Sequence, residues 1–338
     1  MKSLKVLLAA AAVTVVTAGA ATAGTLDDVK ARGKLNCGVT TGLAGFASPN
    51  DAGYWEGIDA EMCRAVAVAV FNDKDAVNFT PTTGADRFTI LQSGEVDMLA
   101  RNTTWTFSRD VNLGFEFVGV NYYDGQGFMI RKDMGISSAH ELEGASVCIQ
   151  TGTTTELNLA DFFRANNMNF TSVVVQTGDE GLQAYDSGRC DVYTTDASGL
   201  AAQRSTLSDP SAHVILPEII SKEPLGPLVR HGDHKWGDVV RWTLNAMVNA
   251  EELGVDSSNV AAMMDSTNPE IRLMLGAEGN QGEQLGLSSD WAANVIKTIG
   301  NYSESFERNI GKDTPIGLER GLNALWKDGG LLYAPPMR

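Results

Sequence analysis

The sequence predicts an α/β protein with two similar halves, each a mostly parallel sheet flanked by helices. Residues 93–97 (SGEVD) and 187–191 (SGRCD) both separate an apolar helical segment from a short strand. Five residues after the Asp of each copy, the predicted strand end carries Asn102 in the first half and Asp196 in the second. Alternating strands and helices form parallel sheets, and ligands bind at the carboxyl ends of such strands. The repeat therefore predicts a small molecule held in a cleft between two lobes.

The first 23 residues have the pattern of a secretory signal peptide. Lys2 and Lys5 precede an apolar run over residues 6–16, and the small residues Ala21 and Ala23 flank a cleavage site. The apolar run is too short to span a bilayer, and no later window is long and apolar enough to do so. We expect a soluble secreted protein that begins near Gly24.

Net charge restricts the partners of this chain. It has 42 acidic and 26 basic residues, a formal charge of −16, over a length of 338 residues that suits two domains. An acidic surface repels phosphate backbones, so nucleic acid is a poor partner. We expect a freely diffusing monomer.

The four cysteines predict two disulfides. Cys37, Cys63, Cys148 and Cys190 form an even set in an oxidising compartment, which allows three pairings. We favour Cys37–Cys63 and Cys148–Cys190 because each pair then stays within one half of the chain. A zinc site is the alternative, but the chain has no Cys-x-x-Cys and no histidines at ligand spacing.

In the first half, residues 29–33 end a short helix and residues 35–39 form the first strand, followed by a loop rich in Gly, Pro and Asn. Apolar spacing then predicts a helix over residues 58–70, and a second helix ends at Gly94 as a left-handed cap. Strands follow at residues 96–100, 115–120 and 127–131.

The second half repeats this order. It has strands at residues 146–150, 172–176 and 190–194, with helices at residues 156–165 and 180–187 between them. An apolar strand at residues 228–230 precedes a mainly helical remainder with core-facing stripes.

Two extended segments are candidates for the crossovers between the lobes, one near Met129 and one near Leu225. We therefore expect the first lobe to comprise residues 24–128 plus 224–338 and the second lobe residues 129–223.

Polar residues at the strand ends are the candidate ligand contacts. Asn102 and Thr104 precede Arg109, whose planar guanidinium can pair a carboxylate through two parallel hydrogen bonds. Thr153 and Glu156 have capping-box spacing, so a helix should begin there with amides that attract an anion. The chain lacks a phosphate-binding loop, which makes a nucleotide ligand improbable.

Asp196 is the candidate partner for a cation. A carboxylate at that strand end can pair an ammonium, although it can equally cap the next turn. Asp196 opposite Arg109 would make a receptor for a zwitterion, with one end of the site for each charge.

These segments resemble those of the amino-acid-binding proteins of ABC importers. The resemblance rests on Thr104 and Arg109, on residues 150–156 (QTGTTTE) and on residues 191–196 (DVYTTD). Residues 121–128 (NYYDGQGF) and 321–326 (GLNALW) are similar to the general L-amino-acid-binding branch in particular.

The resemblance implies the type II periplasmic-binding-protein fold, with two lobes joined by a two-strand hinge. It also implies that Arg109, Thr104 and Thr154 bind the α-carboxylate of a free L-amino acid and that Asp196 binds its α-amine, with Asn102 as a further contact. The closed protein would then deliver its ligand to a membrane permease driven by a cytoplasmic ATPase, and no cofactor is implied.

One departure from relatives that bind basic amino acids concerns the residues after the first strand. Thr40 and Leu43 occupy the places of an acidic residue and an aromatic ring, which argues for broad or polar specificity. Phe46 is our candidate for the missing wall, with Trp55 and Trp105 as alternatives.

Two other functions remain as alternatives. A periplasmic enzyme on the same scaffold, such as a dehydratase of amino-acid-like substrates, would need an acid or base besides the clamping residues. The four histidines lie away from the predicted strand ends, and Glu156 has a simpler capping role. A sensory ligand-binding protein would have to act through a partner.

Overall fold

The computed structural model describes residues 24–338, and the predicted signal peptide lies outside the described residues. The strands are β1 Leu35–Thr40, β2 Ser48–Pro49, β3 Trp55–Glu56, β4 Val77–Thr82, β5 Met98–Leu99, β6 Phe115–Phe117, β7 Tyr122–Asp124, β8 Gln126–Arg131, β9 Ser146–Gln150, β10 Thr171–Val175, β11 Val192–Asp196, β12 His213–Ile215, β13 Glu223–Leu225 and β14 Leu228–Arg230. The helices are α1 Thr25–Arg32, α2 Ile58–Phe71, α3 Arg87–Ser93, α4 Thr154–Ala165, α5 Gly178–Asp186, α6 Ala197–Arg204, α7 His234–Glu252, α8 Val260–Met263, α9 Pro269–Met274, α10 Gln281–Leu285, α11 Trp291–Thr298 and α12 Tyr302–Asn309.

Two five-stranded sheets with the same construction form the two lobes. The first has the order β4-β1-β5-β14-β6 and the second the order β10-β9-β11-β8-β12. In each sheet the first three strands are parallel, and the fourth strand is antiparallel to both of its neighbours. Four of the five strands therefore run in one direction, which confirms two mostly parallel α/β lobes.

A two-stranded antiparallel sheet joins the lobes. Strands β7 and β13 pair Asp124 with Glu223 and Tyr122 with Leu225, and the chain changes lobe at each of them. Met129, near which the first crossover was predicted, is fully buried in β8, which pairs with strands of the second sheet on both sides. We therefore propose that the first lobe boundary lies near residue 125 rather than at 128/129.

The helices follow the predicted apolar spacing closely. Helix α2 spans residues 58–71, and α3 ends at Gly94, whose φ of 81° is the left-handed conformation that glycine adopts without strain. After β14 the described chain is mainly helical, and the apolar stripes of α7 and α11 are buried in the core of the first lobe.

Strand β4 was missed by the sequence analysis. It lies at the edge of the first sheet and contains Pro81, which removes a backbone donor and is tolerated only at such positions. Strand β11 begins and ends two residues later than predicted, so Asp196 is its last residue and also precedes α6.

Both predicted disulfides are confirmed. Cys37–Cys63 connects β1 to α2, and Cys148–Cys190 connects β9 to the residues just before β11. In the described chain, no cluster of His, Cys, Asp or Glu has the arrangement of a metal site. Within residues 24–338, no helix is long and apolar enough to cross a bilayer.

Candidate functional site

A cavity between the two lobes lies at the carboxyl ends of strands from both sheets. We divide it into two connected compartments that share Arg101, Asn102, Gln150 and Thr195. The first compartment has a cavity volume of about 30 Å³ and the second of about 40 Å³. The remaining lining residues of the first compartment are Arg87, Thr104, Thr153, Thr154, Thr155 and Asp196. Those of the second compartment are Thr40, Thr41, Gly42, Leu43, Gly178, Tyr193, Gly199 and Gln203.

Five of the seven predicted ligand residues meet in the first compartment. Asn102 and Thr104 come from the first lobe, and Thr153, Thr154 and Asp196 from the second. The lobes approach closely here, because the hydroxyls of Thr104 and Thr154 are 3.3 Å apart. This close approach makes the cavity a closed cleft, with polar side chains on both walls.

Asp196 presents a buried carboxylate to the cavity. Its residue is only 6% exposed, and the carboxylate accepts no hydrogen bond from residues 24–338. Burial, together with the charges of Asp124 and Glu223, raises the pKa of Asp196 well above its usual range. A buried carboxylate in this state requires a cation or a proton, because its isolated charge is costly away from water.

Three buried arginines from the first lobe surround the opposite wall. Arg87, Arg101 and Arg109 are at most 6% exposed, and none lies within 4 Å of a carboxylate oxygen of the described chain. Burial lowers the pKa of Arg101 and of Arg109 to about 10, so both remain charged at neutral pH. The wall is thus a cluster of positive charge without direct ion pairs.

Arg109, the predicted carboxylate clamp, lies behind the first compartment rather than among its lining residues. Its Nη1 donates a 2.8 Å hydrogen bond to the carbonyl oxygen of Thr104, and its guanidinium is 5.2 Å from the Phe88 ring. The charges of Glu223 and then Asp196 favour the protonated form of Arg109. Arg87 and Arg101 stand closer to the cavity itself.

Glu223, in hinge strand β13, connects both lobes through its carboxylate. It accepts hydrogen bonds from the hydroxyl of Thr104 on the first lobe and, at 2.9 Å, from that of Thr154 on the second. Asn158 of α4 donates a third bond of 2.7 Å, and Ser221 a fourth of 2.6 Å. Both predicted threonine donors are therefore oriented by a hinge carboxylate.

The Gly-Thr-Thr turn begins helix α4 as predicted. The Thr153 hydroxyl accepts the Glu156 amide at 3.2 Å, whereas the Glu156 carboxylate accepts the amide of Gly152 instead of closing a reciprocal capping box. Gly152 has φ of 74°, and a Cβ there would lie 3.0 Å from the backbone of Ala85 in the other lobe. Glycine is thus required both by conformation and by the contact between lobes.

Asn102 is held in an unusual conformation at the end of the first-lobe strand. Its φ is 35°, and its amide donates a 2.8 Å hydrogen bond to the carboxylate of Asp59. Asn121 donates to the other oxygen of Asp59 at 2.9 Å. Burial raises the pKa of Asp59 to about 6. These contacts fix Asn102 at the junction of both compartments.

Phe46, the predicted ligand wall, is not among the residues that line the two compartments. It is 1% exposed and packs edge-on against Tyr122 at 5.6 Å in the core of the first lobe. Trp55 stacks on Phe79 and Trp105 stacks on Phe117, and neither tryptophan lines the two compartments. A phenylalanine side chain gains free energy when it is buried among apolar groups, which explains why Phe46 packs in the core.

Four polar residues at the cleft were not predicted from the sequence: Arg87, Arg101, Glu223 and Gln203. Arg101 precedes Asn102 directly, so the strand-end pattern that selected Asn102 also pointed to its neighbour. Glu223 lies in the segment assigned to the second crossover, a place where a buried carboxylate was not expected. No sequence pattern predicted that Arg87 is buried at the cleft, because an arginine at the start of a helix is usually solvated.

Opposite charges on facing lobes suit a small zwitterion. The described cleft carries guanidiniums on the first lobe, an unpaired carboxylate on the second, and hydroxyl and amide groups between them. None of the four histidines lines either compartment. The arrangement can bind and orient a charged polar molecule through charge-assisted hydrogen bonds.

Comparison with known proteins identifies close relatives. The chain is 58% identical over 330 residues to the general L-amino acid-binding periplasmic protein AapJ of Rhizobium johnstonii, which covers 97% of each chain. It is 59% identical over 328 residues to the glutamate/glutamine/aspartate/asparagine-binding protein BztA of Rhodobacter capsulatus, again covering 97% of each.

The fold has an equally close structural counterpart. A solved ABC transporter periplasmic binding protein from Brucella ovis, with glutathione bound, superposes with a TM-score of 0.92 at 59% identity. The match covers 94% of this chain and 100% of that one, which confirms the type II periplasmic-binding-protein fold. The family model for bacterial extracellular solute-binding proteins, family 3, matches residues 35–255. The chain therefore belongs to family 3 of the bacterial extracellular solute-binding proteins.

Proposed function

We propose that this protein is the periplasmic substrate-binding component of an amino-acid ABC importer. It captures a free L-amino acid in the cleft and delivers it to a membrane permease. The relatives AapJ and BztA, named for general L-amino acids and for glutamate, glutamine, aspartate and asparagine, support this ligand class.

The carrying observation is the unpaired carboxylate of Asp196 facing unpaired guanidiniums across the cleft. An α-ammonium would neutralise Asp196. An α-carboxylate would meet the guanidinium of Arg87, with Thr104 and Thr154 beside it and the charge of Arg109 behind the compartment wall. Each charge of an amino acid thus compensates a charge whose isolation costs the protein free energy. Asn102 and the residues around Thr153 complete the polar wall of the first compartment.

Binding and closure are linked in this proposal. The cation-binding residue lies on the second lobe and the anion-binding residues on the first, so a ligand contacts both groups only when the lobes are closed. The ligand stabilises the closed form by its extra contacts there, which is the condition for a ligand-induced change of conformation. The permease then distinguishes the closed form from the open one.

Localisation and assembly follow from the same proposal. The predicted signal peptide at residues 1–23 directs the chain to the periplasm, where it acts as a monomer with two disulfides. The partner is the integral-membrane permease with its cytoplasmic ATPase. The family match supports an extracellular place of action.

A binding role fits this cleft better than an enzymatic one. Glu156 was the candidate acid or base, but its carboxylate accepts the amide of Gly152 at 3.1 Å and serves the start of α4. A dehydratase needs a group able to exchange a proton with its substrate. We propose that the protein has no enzymatic activity.

Titration calorimetry of the chain beginning at Gly24 tests the proposed function. We expect L-glutamate, L-glutamine and L-alanine to bind, D-forms to bind weakly, and Asp196→Asn to reduce affinity for every L-amino acid about 100-fold, as for the loss of a buried ion pair. Asp191→Asn is the matched control, because Asp191 accepts bonds from Ser146 away from the cleft. Glutathione belongs in the panel because the Brucella ovis relative holds it. Binding by Asp196→Asn with native affinity would contradict the proposal.

A further inference from the structure

The second compartment contains a single charged side chain among its described lining residues, that of Arg101. Its other polar side chains are neutral and come from Thr40, Thr41, Asn102, Gln150, Tyr193, Thr195 and Gln203. Arg101 also lines the first compartment, so it stands where the two compartments join. A molecule whose charged ends occupy the first compartment would extend its remaining atoms past this guanidinium.

The guanidinium of Arg101 is incompletely satisfied by the protein. Nε donates to the carbonyl oxygen of Thr82 at 3.3 Å, and Nη1 donates to Oδ1 of Asn102 at 3.4 Å. Nη2 donates no hydrogen bond to any residue in the range 24–338, although the residue is only 5% exposed. A buried guanidinium has five donors and needs an acceptor for each of them.

Neighbouring charges do not remove this requirement. Of the carboxylates, Asp59 favours the charged form of Arg101 most, but its two oxygens already accept the Asn102 backbone amide and the Asn121 side chain. Arg109 repels Arg101, and burial lowers the pKa of Arg101 to about 10. Arg101 is therefore a positive charge of the site in addition to the arginines that an α-carboxylate would neutralise.

We propose that Arg101 is a specificity-determining residue that binds the distal carboxylate or amide oxygen of the ligand side chain. The proposal rests on the proposed function, because it assumes an amino acid whose α-groups occupy the first compartment. Arg101 would favour glutamate, aspartate, glutamine and asparagine. An aliphatic side chain leaves the guanidinium without an acceptor, and a lysine side chain brings a second positive charge to it.

Gln203 provides a contact on the other lobe. It is 6% exposed, and its carbonyl oxygen accepts no hydrogen bond within the described chain. Arg101 can only donate, whereas the Gln203 amide can both donate and accept. An amide placed between the two can accept from Arg101 with its oxygen and donate from its nitrogen to the Gln203 carbonyl oxygen, whereas a carboxylate needs the Gln203 amide turned so that its nitrogen faces the ligand.

A ligand series on the unmodified protein provides the first test. Titration calorimetry would compare L-glutamate with L-norvaline, which keeps the α-groups and the three-carbon chain but lacks the terminal carboxylate. We expect glutamate and glutamine to bind at least about tenfold more tightly than norvaline, and lysine to bind more weakly than norvaline. Equal affinities for glutamate and norvaline would overturn the proposal.

Substitutions provide the second test. Arg101→Gln should lower the affinity for glutamate about tenfold or more while changing that for alanine by less than about threefold. Arg87→Gln, which alters the first compartment alone, should weaken glutamate and alanine alike. Arg64→Gln is the control for removing a buried arginine of the first lobe, since Arg64 contacts Asp75 and backbone carbonyls far from the cleft. An equal loss of glutamate and alanine binding in Arg101→Gln would refute a role in specificity.

Different results contradict the proposed function and the role of Arg101. If no amino acid binds the unmodified protein, the proposed function fails. If amino acids bind without preference for acidic or amide side chains, only the role of Arg101 fails. The ligand series does not require any variant to fold, so it decides the question even if Arg101→Gln is unstable.

Discussion

Replacing Glu223 with glutamine should shift the ligand-free protein toward an open form. The Glu223 carboxylate accepts the Thr104 hydroxyl from the first lobe and the Thr154 and Asn158 side chains from the second. Opening the cleft must break the hydrogen bonds of Glu223 to one of the two lobes. The first lobe contributes only the bond from Thr104, so this bond is the one that we expect to break. The residue is 1% exposed, so solvent screens these bonds little.

The magnitude follows from the charge of the acceptor. A hydrogen bond to a charged group contributes about 1.5–3 kcal/mol, and one to a neutral group about 0.5–1.5 kcal/mol. Glu223→Gln should therefore destabilise the closed form by about 1 kcal/mol, which corresponds to an approximately fivefold weaker affinity. An opposing effect exists, because Glu223 also places negative charge near Asp196 and the proposed α-carboxylate position.

Small-angle X-ray scattering of the ligand-free protein and calorimetry with glutamate together test this reasoning. We expect Glu223→Gln to increase the ligand-free radius of gyration and the Kd, while the ligand-saturated radius stays unchanged. Glu218→Gln is a suitable control, because Glu218 accepts bonds from Ser138 and Ala139 within the second lobe. Tighter binding by Glu223→Gln would mean that repulsion of the ligand outweighs the connection between lobes, and the reasoning would be refuted.

Three further predictions concern the charges and the disulfides. Arg109→Ala should weaken amino-acid binding about 100-fold by calorimetry because it removes a buried countercharge, and native affinity would exclude Arg109 as a carboxylate clamp. The pKa of Asp196 is raised in the free protein, whereas a bound ammonium favours the ionised form. Affinity should therefore fall as pH decreases through that raised pKa, with proton release on binding that Asp196→Asn abolishes; calorimetry in buffers of different ionisation enthalpy measures it. Replacing Cys148 and Cys190 with serine should lower the free energy of unfolding by about 2–5 kcal/mol in urea denaturation, and an unchanged midpoint would contradict a stabilising role.

Local patterns were sufficient where each residue's environment follows from its neighbours in the chain. The Gly94 cap, the Thr153 start of α4 and the apolar faces of α2 and α7 are set by contacts within a few residues. The disulfide pairing was also accessible, because the repeat placed Cys148 and Cys190 on neighbouring elements. Asp196 was found because strand-end positions in an α/β repeat are few.

Other features depend on contacts between distant segments. The same sequence pattern describes a solvated arginine and a buried one, so Arg87 and Arg101 became distinguishable only when burial was known. Phe46 was predicted at the cleft, but the packing of Tyr122, 76 residues later, places it in the core. The sequence pattern did not separate the crossover from the buried strand at Met129, because a short hinge strand and that sheet strand are divided by a single residue, Gly125.

The sequence by itself determined two repeated α/β lobes and their disulfides, and it predicted the residue types that we propose for each end of a zwitterion, because helix period, strand spacing and cap chemistry are local. Only the tertiary structure decided which charges face one another. Asp196 from the second lobe lines the same cavity as guanidiniums from the first. Glu223 from the hinge accepts hydrogen bonds from a threonine of each lobe. Such encounters depend on how two separately folded sheets are brought together, and burial then gives these charges their strength.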